Sequence, residues 1–249
     1  MTGSEVRWLT AFIDRPVDTF DAATEFWVAV TGGRLSPSRG ERDQVATIVP
    51  PHGDANLCVQ RLDDGRPGVH LDVHVEDTVR TADRALALGA TKRNEYHDVA
   101  VMASPAGLVW CAVDHGCGSQ RPAPTVLPDG TRVGVQQVCI DIAPDRFDAE
   151  VAFWEALTGW VRRPGLRPEY MGFEVPDALP LRLLLQRLDD RPDDGHADAH
   201  LDLFSSAPAA AADDHVGLGA RVVKQNPFWI VMADPTGAPY CLIQRDPDS

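Results

Sequence analysis

FDAATEFWVAVTG, Phe20 to Gly32, comes back as FDAEVAFWEALTG, Phe147 to Gly159, 127 residues further along the chain. A repeat of so long a period decides the architecture before any local motif does. Working outward, Gln60-Arg61-Leu62-Asp63-Asp64 returns as Gln186-Arg187-Leu188-Asp189-Asp190. His70-Leu71-Asp72 returns as His200-Leu201-Asp202, Leu88-Gly89-Ala90 as Leu218-Gly219-Ala220, and Val101-Met102-Ala103 as Val231-Met232-Ala233. Blocks that recur in one order make the chain an internal duplication. Between the copies lies HGCGSQRPAPTVLPDGTR, 115 to 132, whose Gly, Pro and Ser content predicts a linker of little packing value. The expected organisation is a first domain over 5–117, a linker over 118–133 and a second domain over 134–247.

Periodicity gives each copy a coarse outline. Trp8 to Asp14 is strand-like, and Phe20, Ala23, Phe26, Trp27 and Val30 then share one side of a helix. Asp18 or Asp21 can cap that helix, and Gly32 suits its stop. Strand candidates follow at Val45–Val49, Asn56–Arg61 and His70–Val75. A second helix runs from an Asp77 cap through the apolar Val79, Ala82 and Leu86 and on to Leu88, and stops at Gly89. Val99–Ala103 and Val109–Val113 read as a hairpin through Ser104-Pro105-Ala106-Gly107, matched by Asp234-Pro235-Thr236-Gly237 in the second copy. A polar first residue, Pro second and Gly fourth suit a type I turn. The class is therefore α+β, built of four βαβββ modules.

Lys and Arg number 23 against 37 Asp and Glu, a formal charge of −14 that opposes a long phosphate footprint and an anionic membrane surface. No nucleic acid and no membrane partner is expected. No apolar block of signal-peptide length opens the chain, so a cytoplasmic address is the default expectation. Cysteines 58, 111, 117, 139 and 241 form an odd set without CxxC spacing, which points to reduced thiols rather than to disulfides or a structural zinc. Asp63-Asp64, Asp189-Asp190 and Asp193-Asp194 sit in turn-like connections as solvated charge. A calcium loop over Asp190–Leu201 is excluded, because Pro192 and Leu201 stand where oxygen ligands are needed. Motifs for nucleotide-phosphate binding, HExxH zinc sites and GxSxG serine hydrolases are absent from the sequence.

On Phe26-Trp27 with Thr31-Gly32, the His70-Leu71-Asp72 and Leu88-Gly89-Ala90 blocks with their repeats, and Asp234-Pro235-Thr236-Gly237 followed by Tyr240-Cys241, the chain resembles the vicinal oxygen chelate superfamily. This is also called the glyoxalase, bleomycin resistance and extradiol dioxygenase fold, and here it is met twice over. The resemblance implies two tandem glyoxalase-like domains, each with a curled mixed sheet around a cleft. It also implies metal ligands at three places: a His on the first strand, a His opening the fifth and a Glu on the last. Those places hold Thr10, His70 and Cys111 in the first copy, and Gln137, His200 and Cys241 in the second. Only the middle ligand remains in each, so the expected cofactor is none and the expected metal site is none.

His70, Asp72 and His74 alternate along one strand and share a face, which the resemblance makes the cleft face. Asp beside imidazole fixes its tautomer and raises its basicity, as a general base requires. The candidate catalytic residues are His70, Asp72, His200 and Asp202; bonding to adjacent strands or water is the structural alternative. Candidate ligand-binding residues are Thr10, His74, Cys111, Gln137, Trp229 and Cys241, although the two cysteines read first as small buried hydrophobes. Phe26, Trp27, Phe153 and Trp154 are core anchors. Tyr170, Phe173, Phe228 and Trp229 suit a flat or cationic ligand or ordinary strand packing. The expected function is binding of a small organic molecule, neutral or cationic, in one or both clefts by a monomer or homodimer. The alternative is a lyase, isomerase, hydroxylase or dioxygenase-like enzyme that uses His and Asp as acid–base residues or a non-standard metal site.

Overall fold

In the computed structural model, which describes residues 6–96, 98–114, 116, 118–190 and 194–247, the first copy runs β1 (Trp8–Pro16), α1 (Val17–Thr31), β2 (Arg34–Leu35), β3 (Val45–Val49), β4 (Leu57–Leu62), β5 (Gly68–Val75), α2 (Thr78–Ala87), β6 (Thr91–Tyr96), β7 (Val99–Ala103) and β8 (Val109–Asp114). After β9 (Thr125–Val126), the second copy runs β10 (Arg132–Ile142), α3 (Phe147–Thr158), β11 (Arg162–Pro164), β12 (Tyr170–Phe173), β13 (Arg182–Arg187) and β14 (Asp198–Ser205). It closes with α4 (Pro208–Gly217), β15 (Arg221–Gln225), β16 (Trp229–Ala233) and β17 (Pro239–Gln244). Four βαβββ modules are present, as the periodicity predicts. Glu5, His115, Cys117, Pro192 and Asp193, which the sequence reading used, lie outside the described residues.

Each copy builds one open, mixed sheet. Its strand order is β2-β3-β4-β1-β5-β8-β7-β6 in the first copy and β11-β12-β13-β10-β14-β17-β16-β15 in the second. β5 pairs with β8, and β14 with β17, in parallel, while the hairpins β7–β8 and β16–β17 are antiparallel. The turns joining those hairpins close as expected, with the Gly107 N–H donating to the Ser104 carbonyl and the Gly237 N–H to the Asp234 carbonyl, each at 2.9 Å.

Three local expectations need correction. Neither Asp18 nor Asp21 caps α1; the helix begins at Val17 behind Pro16, and Asp18 stands within its first turn. Its end is as expected, with Gly32 in the left-handed conformation (φ 60°) that only glycine adopts without strain. α2 does start from Asp77, whose carboxylate accepts the Arg80 N–H, but its buried side is Thr81, Ala82 and Ala85. Val79 and Leu86 are exposed. Small residues let α2 lie close on β7 and β8, so the helix is turned about one residue round from its most apolar stripe. The connecting segment also does more than its composition suggests: Thr125 and Val126 pair with Val133 and Arg132. Gly118 (φ 97°) is seated on the Trp8 indole, where a Cβ would approach the ring to 2.3 Å.

Packing gathers these modules into two compact units. The first takes the chain up to Ala11 with His70–Ser119 and Val138–Ala199; the second takes Phe12–Val69, Gln120–Gln137 and the chain from His200 onward. Each unit thus joins one module of each copy. In the first, Trp110 of β8 packs against Phe153 and Trp154 of α3 at ring-centroid distances of 6.2 and 5.8 Å. In the second, Tyr240 of β17 packs against Phe26 and Trp27 of α1 at 5.8 and 5.3 Å. Phe26, Trp27, Phe153 and Trp154 are buried core anchors, as read from the sequence.

Candidate functional site

The strand parity that buries Trp110 also buries Leu71, Val73 and Ala112, so it faces the helical side of the first unit. His70, Asp72, His74 and Cys111 take the other parity and gather on the opposite face. The parallel register of β5 with β8 sets Asp72 directly opposite Cys111, while His70 stands two residues before Asp72 on the same face. The His70 Nε2 lies 3.9 Å from Asp72 Oδ1, and the ligand atoms of His70, Asp72 and Cys111 all lie within 4.8 Å of one another. Thr10 does not join them: its hydroxyl is 3.0 Å from His74 Nε2.

The second unit repeats the arrangement more tightly. β14 and β17 pair in the equivalent register, with Asp202 opposite Cys241. The His200 Nε2 lies 3.5 Å from Asp202 Oδ1 and 3.7 Å from Cys241 Sγ, and the three ligand atoms again fall within 4.8 Å. Asp202 is only 2% exposed, and its other oxygen accepts a 2.5 Å hydrogen bond from the Gln137 amide. Phe204 takes the place of His74 and carries the Arg245 guanidinium 4.9 Å over its ring.

The sequence-predicted residues therefore separate into two sets. His70, Asp72 and Cys111 come together in the first unit with His74 and Thr10 beside them; His200, Asp202, Cys241 and Gln137 come together in the second. Trp229 lies on β16 opposite Ile243, on the same face as Cys241. Tyr170 and Phe173 belong to the first unit and Phe228 to the second, where it is 59% exposed. Val101, Val109 and Val113 complete the face in the first unit, and Trp229, Val231 and Ile243 in the second.

The family's His, His and Glu chelate does not fit these residues. Its first position holds Thr10 or Gln137, bonded to His74 and to Asp202 respectively, and its last holds a thiol. The expectation of a solitary imidazole in each copy is nevertheless corrected, because Asp72 and Asp202 bring a third donor to His and Cys. Sequence reasoning paired each Asp with its His and missed that each also faces the Cys. A signal was present: the interval from Asp to Cys is the same 39 residues in both copies.

Three buried polar groups, Asp234, Glu150 and His215, make contacts that the sequence reading did not assign. In the second unit Asp234 Oδ2 receives the Arg15 guanidinium at 3.1 Å and the Trp27 indole N–H at 3.3 Å. In the first, Glu150 accepts the Trp154 indole N–H and the Ala106 N–H, each at 2.8 Å. Burial raises the Glu150 pKa above the ordinary carboxylate range, partly offset by its hydrogen bonds from Ser104, Ala106 and Trp154. Burial lowers the pKa of His215, on α4, to about 4, its Nδ1 lying 2.9 Å from the Tyr240 hydroxyl. These groups lie at the helical side and serve the packing.

A family model described as glyoxalase-like domain matches residues 10–113 and again 137–243. No curated protein matches the chain. Among solved structures, the Mn(II)-bound glyoxalase from Novosphingobium aromaticivorans is similar at a TM-score of 0.66 and 14% identity, over 99% of this chain and 85% of that one. The 2,2',3-trihydroxybiphenyl 1,2-dioxygenase from Sphingomonas wittichii strain RW1 gives 0.58 and 12%, over 97% and 90%. A xylose isomerase-like TIM barrel/4-hydroxyphenylpyruvate dioxygenase fusion protein gives 0.60 and 11%, over 98% of this chain, which spans about half (49%) of that protein's length. At such identities the likeness concerns the fold.

Proposed function

Since the chain belongs to the glyoxalase-like family through both of its copies, we propose that each compact unit binds a small organic molecule on the strand face bearing its His, Asp and Cys, without the family's His, His and Glu chelate. The observation that carries this reading is the convergence of His, Asp and Cys on one strand face in both units, beside Val101, Val109 and Val113 in the first and Trp229, Val231 and Ile243 in the second. A few convergent polar groups on an apolar wall orient a ligand and give it specificity. The formal charge of −14 favours a neutral or cationic ligand, and Trp229 offers a ring for a flat or cationic group.

Acid–base catalysis of the lyase or isomerase kind is a second reading, supported by Asp202 Oδ1 standing 3.5 Å from the His200 nitrogen that would take up a proton. Binding is preferred because Cys241 Sγ approaches the same Nε2. In a nucleophile–His–Asp relay the carboxylate and the nucleophile face different nitrogens of the ring.

A thermal-shift screen of chelator-treated protein against cationic and neutral aromatic compounds tests the reading. A ligand at 100 times its Kd stabilises by about 2.7 kcal/mol, a rise of roughly 5 to 10 °C for a chain of this size. The expected shift is reduced in Trp229→Ala or His200→Ala, which leave the first unit's face intact, and is lost when His70→Ala is combined with His200→Ala. A silent panel, or a hit that binds wild type and all of these variants equally, contradicts the proposal.

A further inference from the structure

The second unit holds three different donor types at nearly fixed separations. Zinc bonds run about 2.0 to 2.1 Å to imidazole, 2.0 to 2.2 Å to carboxylate and 2.3 Å to thiolate. A tetrahedron with those arms has edges of roughly 3.3 to 3.6 Å between its ligand atoms. The His200 to Asp202 and Cys241 to His200 separations of 3.5 and 3.7 Å already match those edges. Both approach the single nitrogen Nε2, and the Asp202 and Cys241 ligand atoms lie within 4.8 Å of each other, a clustering rather than a linear relay.

We infer that His200, Asp202 and Cys241 form a thiophilic divalent-cation site, best suited to Zn2+, and that His70, Asp72 and Cys111 form a looser copy of it. The donor set differs from the family's: the carboxylate comes from the strand that carries the His, and a thiol stands in the place of the Glu. Thiolate and imidazole favour Zn2+ over Mn2+ or Mg2+, which prefer oxygen. Gln137 supports the assignment from outside by holding one Asp202 oxygen and leaving the other toward His200. In the first unit the equivalent Thr10 bonds His74 instead, and His70 stands 3.9 Å from Asp72, so the affinity there is lower. On binding, the sulfur–metal bond forms as the thiol proton leaves for solvent, and no electron moves. The inference concerns the same strands as the organic-ligand proposal and stands without it, because that screen runs in chelator and this one needs metal alone.

The test is a titration of the full-length, chelator-treated chain with Co2+ and then Zn2+. The expected result is a near-ultraviolet sulfur-to-cobalt charge-transfer band, displaced by Zn2+, with two binding steps of unequal affinity. Zn2+ should bind roughly 100-fold or more tightly than Mn2+. Cys241→Ser should abolish the tighter step, Cys111→Ser the weaker, and the double variant the band itself. Asp202→Asn, which leaves the thiol in place, should weaken the tighter step at least about 10-fold with an unchanged circular dichroism spectrum. If a cysteine variant does not fold, the wild-type band and Asp202→Asn still decide. No sulfur band in the wild type, no preference for Zn2+ over Mn2+, or a band retained by the folded double variant overturns the inference.

Discussion

Glu150 and His215 pull the pH dependence of stability in opposite directions. The Glu150 pKa is raised by burial in the first unit, so the folded state holds its proton longer than the unfolded chain does. That contribution is fully present below pH 4.5, the unfolded value, and is lost as pH rises toward the folded one. The His215 pKa is lowered from 6.5 to about 4, so its contribution is present above pH 6.5 and is lost as pH falls toward 4, by about 3 kcal/mol in all. Between pH 4.5 and 6.5 the two partly cancel. Urea midpoints measured across that window should fall more steeply with acid in Glu150→Gln than in wild type, whereas His215→Leu should fall less; parallel curves for all three proteins would contradict the assignment. At the site, Gln137→Ala should lower Zn2+ affinity about 10-fold in the same cobalt competition, since the residue positions Asp202 without touching the ion. His and Asp were legible as site residues because strand parity is local. Glu150 was not, because its only trace is that its counterpart in the first copy is Ala23.

The equivalent helices α1 and α3 solve one problem with carboxylates from different elements. Trp27 and Trp154 each donate a buried indole N–H, which needs an acceptor. For Trp27 the acceptor is Asp234 in the β16–β17 turn, which also receives Arg15 and, through Oδ1, the Thr236 and Ala238 N–H groups. In the first copy that turn position is Ser104, and Glu150 on the helix itself supplies the carboxylate for Trp154. Asp234→Ala leaves the Arg15 guanidinium, 5% exposed, without this partner, and should cost roughly 3 to 5 kcal/mol in a urea titration. Ser104→Ala, which removes a hydrogen bond to Glu150 and one from the Leu108 N–H, should cost about 2 kcal/mol, the scale of two ordinary hydrogen bonds. Equal losses would contradict the division of labour. The turns were legible from their Ser or Asp, Pro and Gly spacing. The helix face of α2 was misread because apolarity points to Val79 and Leu86, while close approach to the sheet selects Thr81, Ala82 and Ala85.

At the scale of the whole chain, duplication was legible because the repeat is written in order, but the pairing of modules was not. Each copy builds its own sheet, yet the aromatic cores join modules of different copies: Trp110 with Phe153 and Trp154, Tyr240 with Phe26 and Trp27. Such pairing depends on long-range packing that no local pattern encodes. A chain cut after Gly118 should therefore yield halves that aggregate or self-associate when expressed singly and recover a folded complex when expressed together, as gel filtration and circular dichroism would read. Two halves that each fold as stable monomers would contradict the interleaving. The same register that closes these units brings His, Asp and Cys together twice, which is the centre of the account. Anomalous diffraction at the zinc edge from crystals of the zinc-loaded protein tests it most directly. A strong peak bounded by His200 Nε2, Asp202 Oδ1 and Cys241 Sγ is expected, with a weaker one among His70, Asp72 and Cys111; zinc found only on surface carboxylates, with both clusters empty, would contradict the assignment.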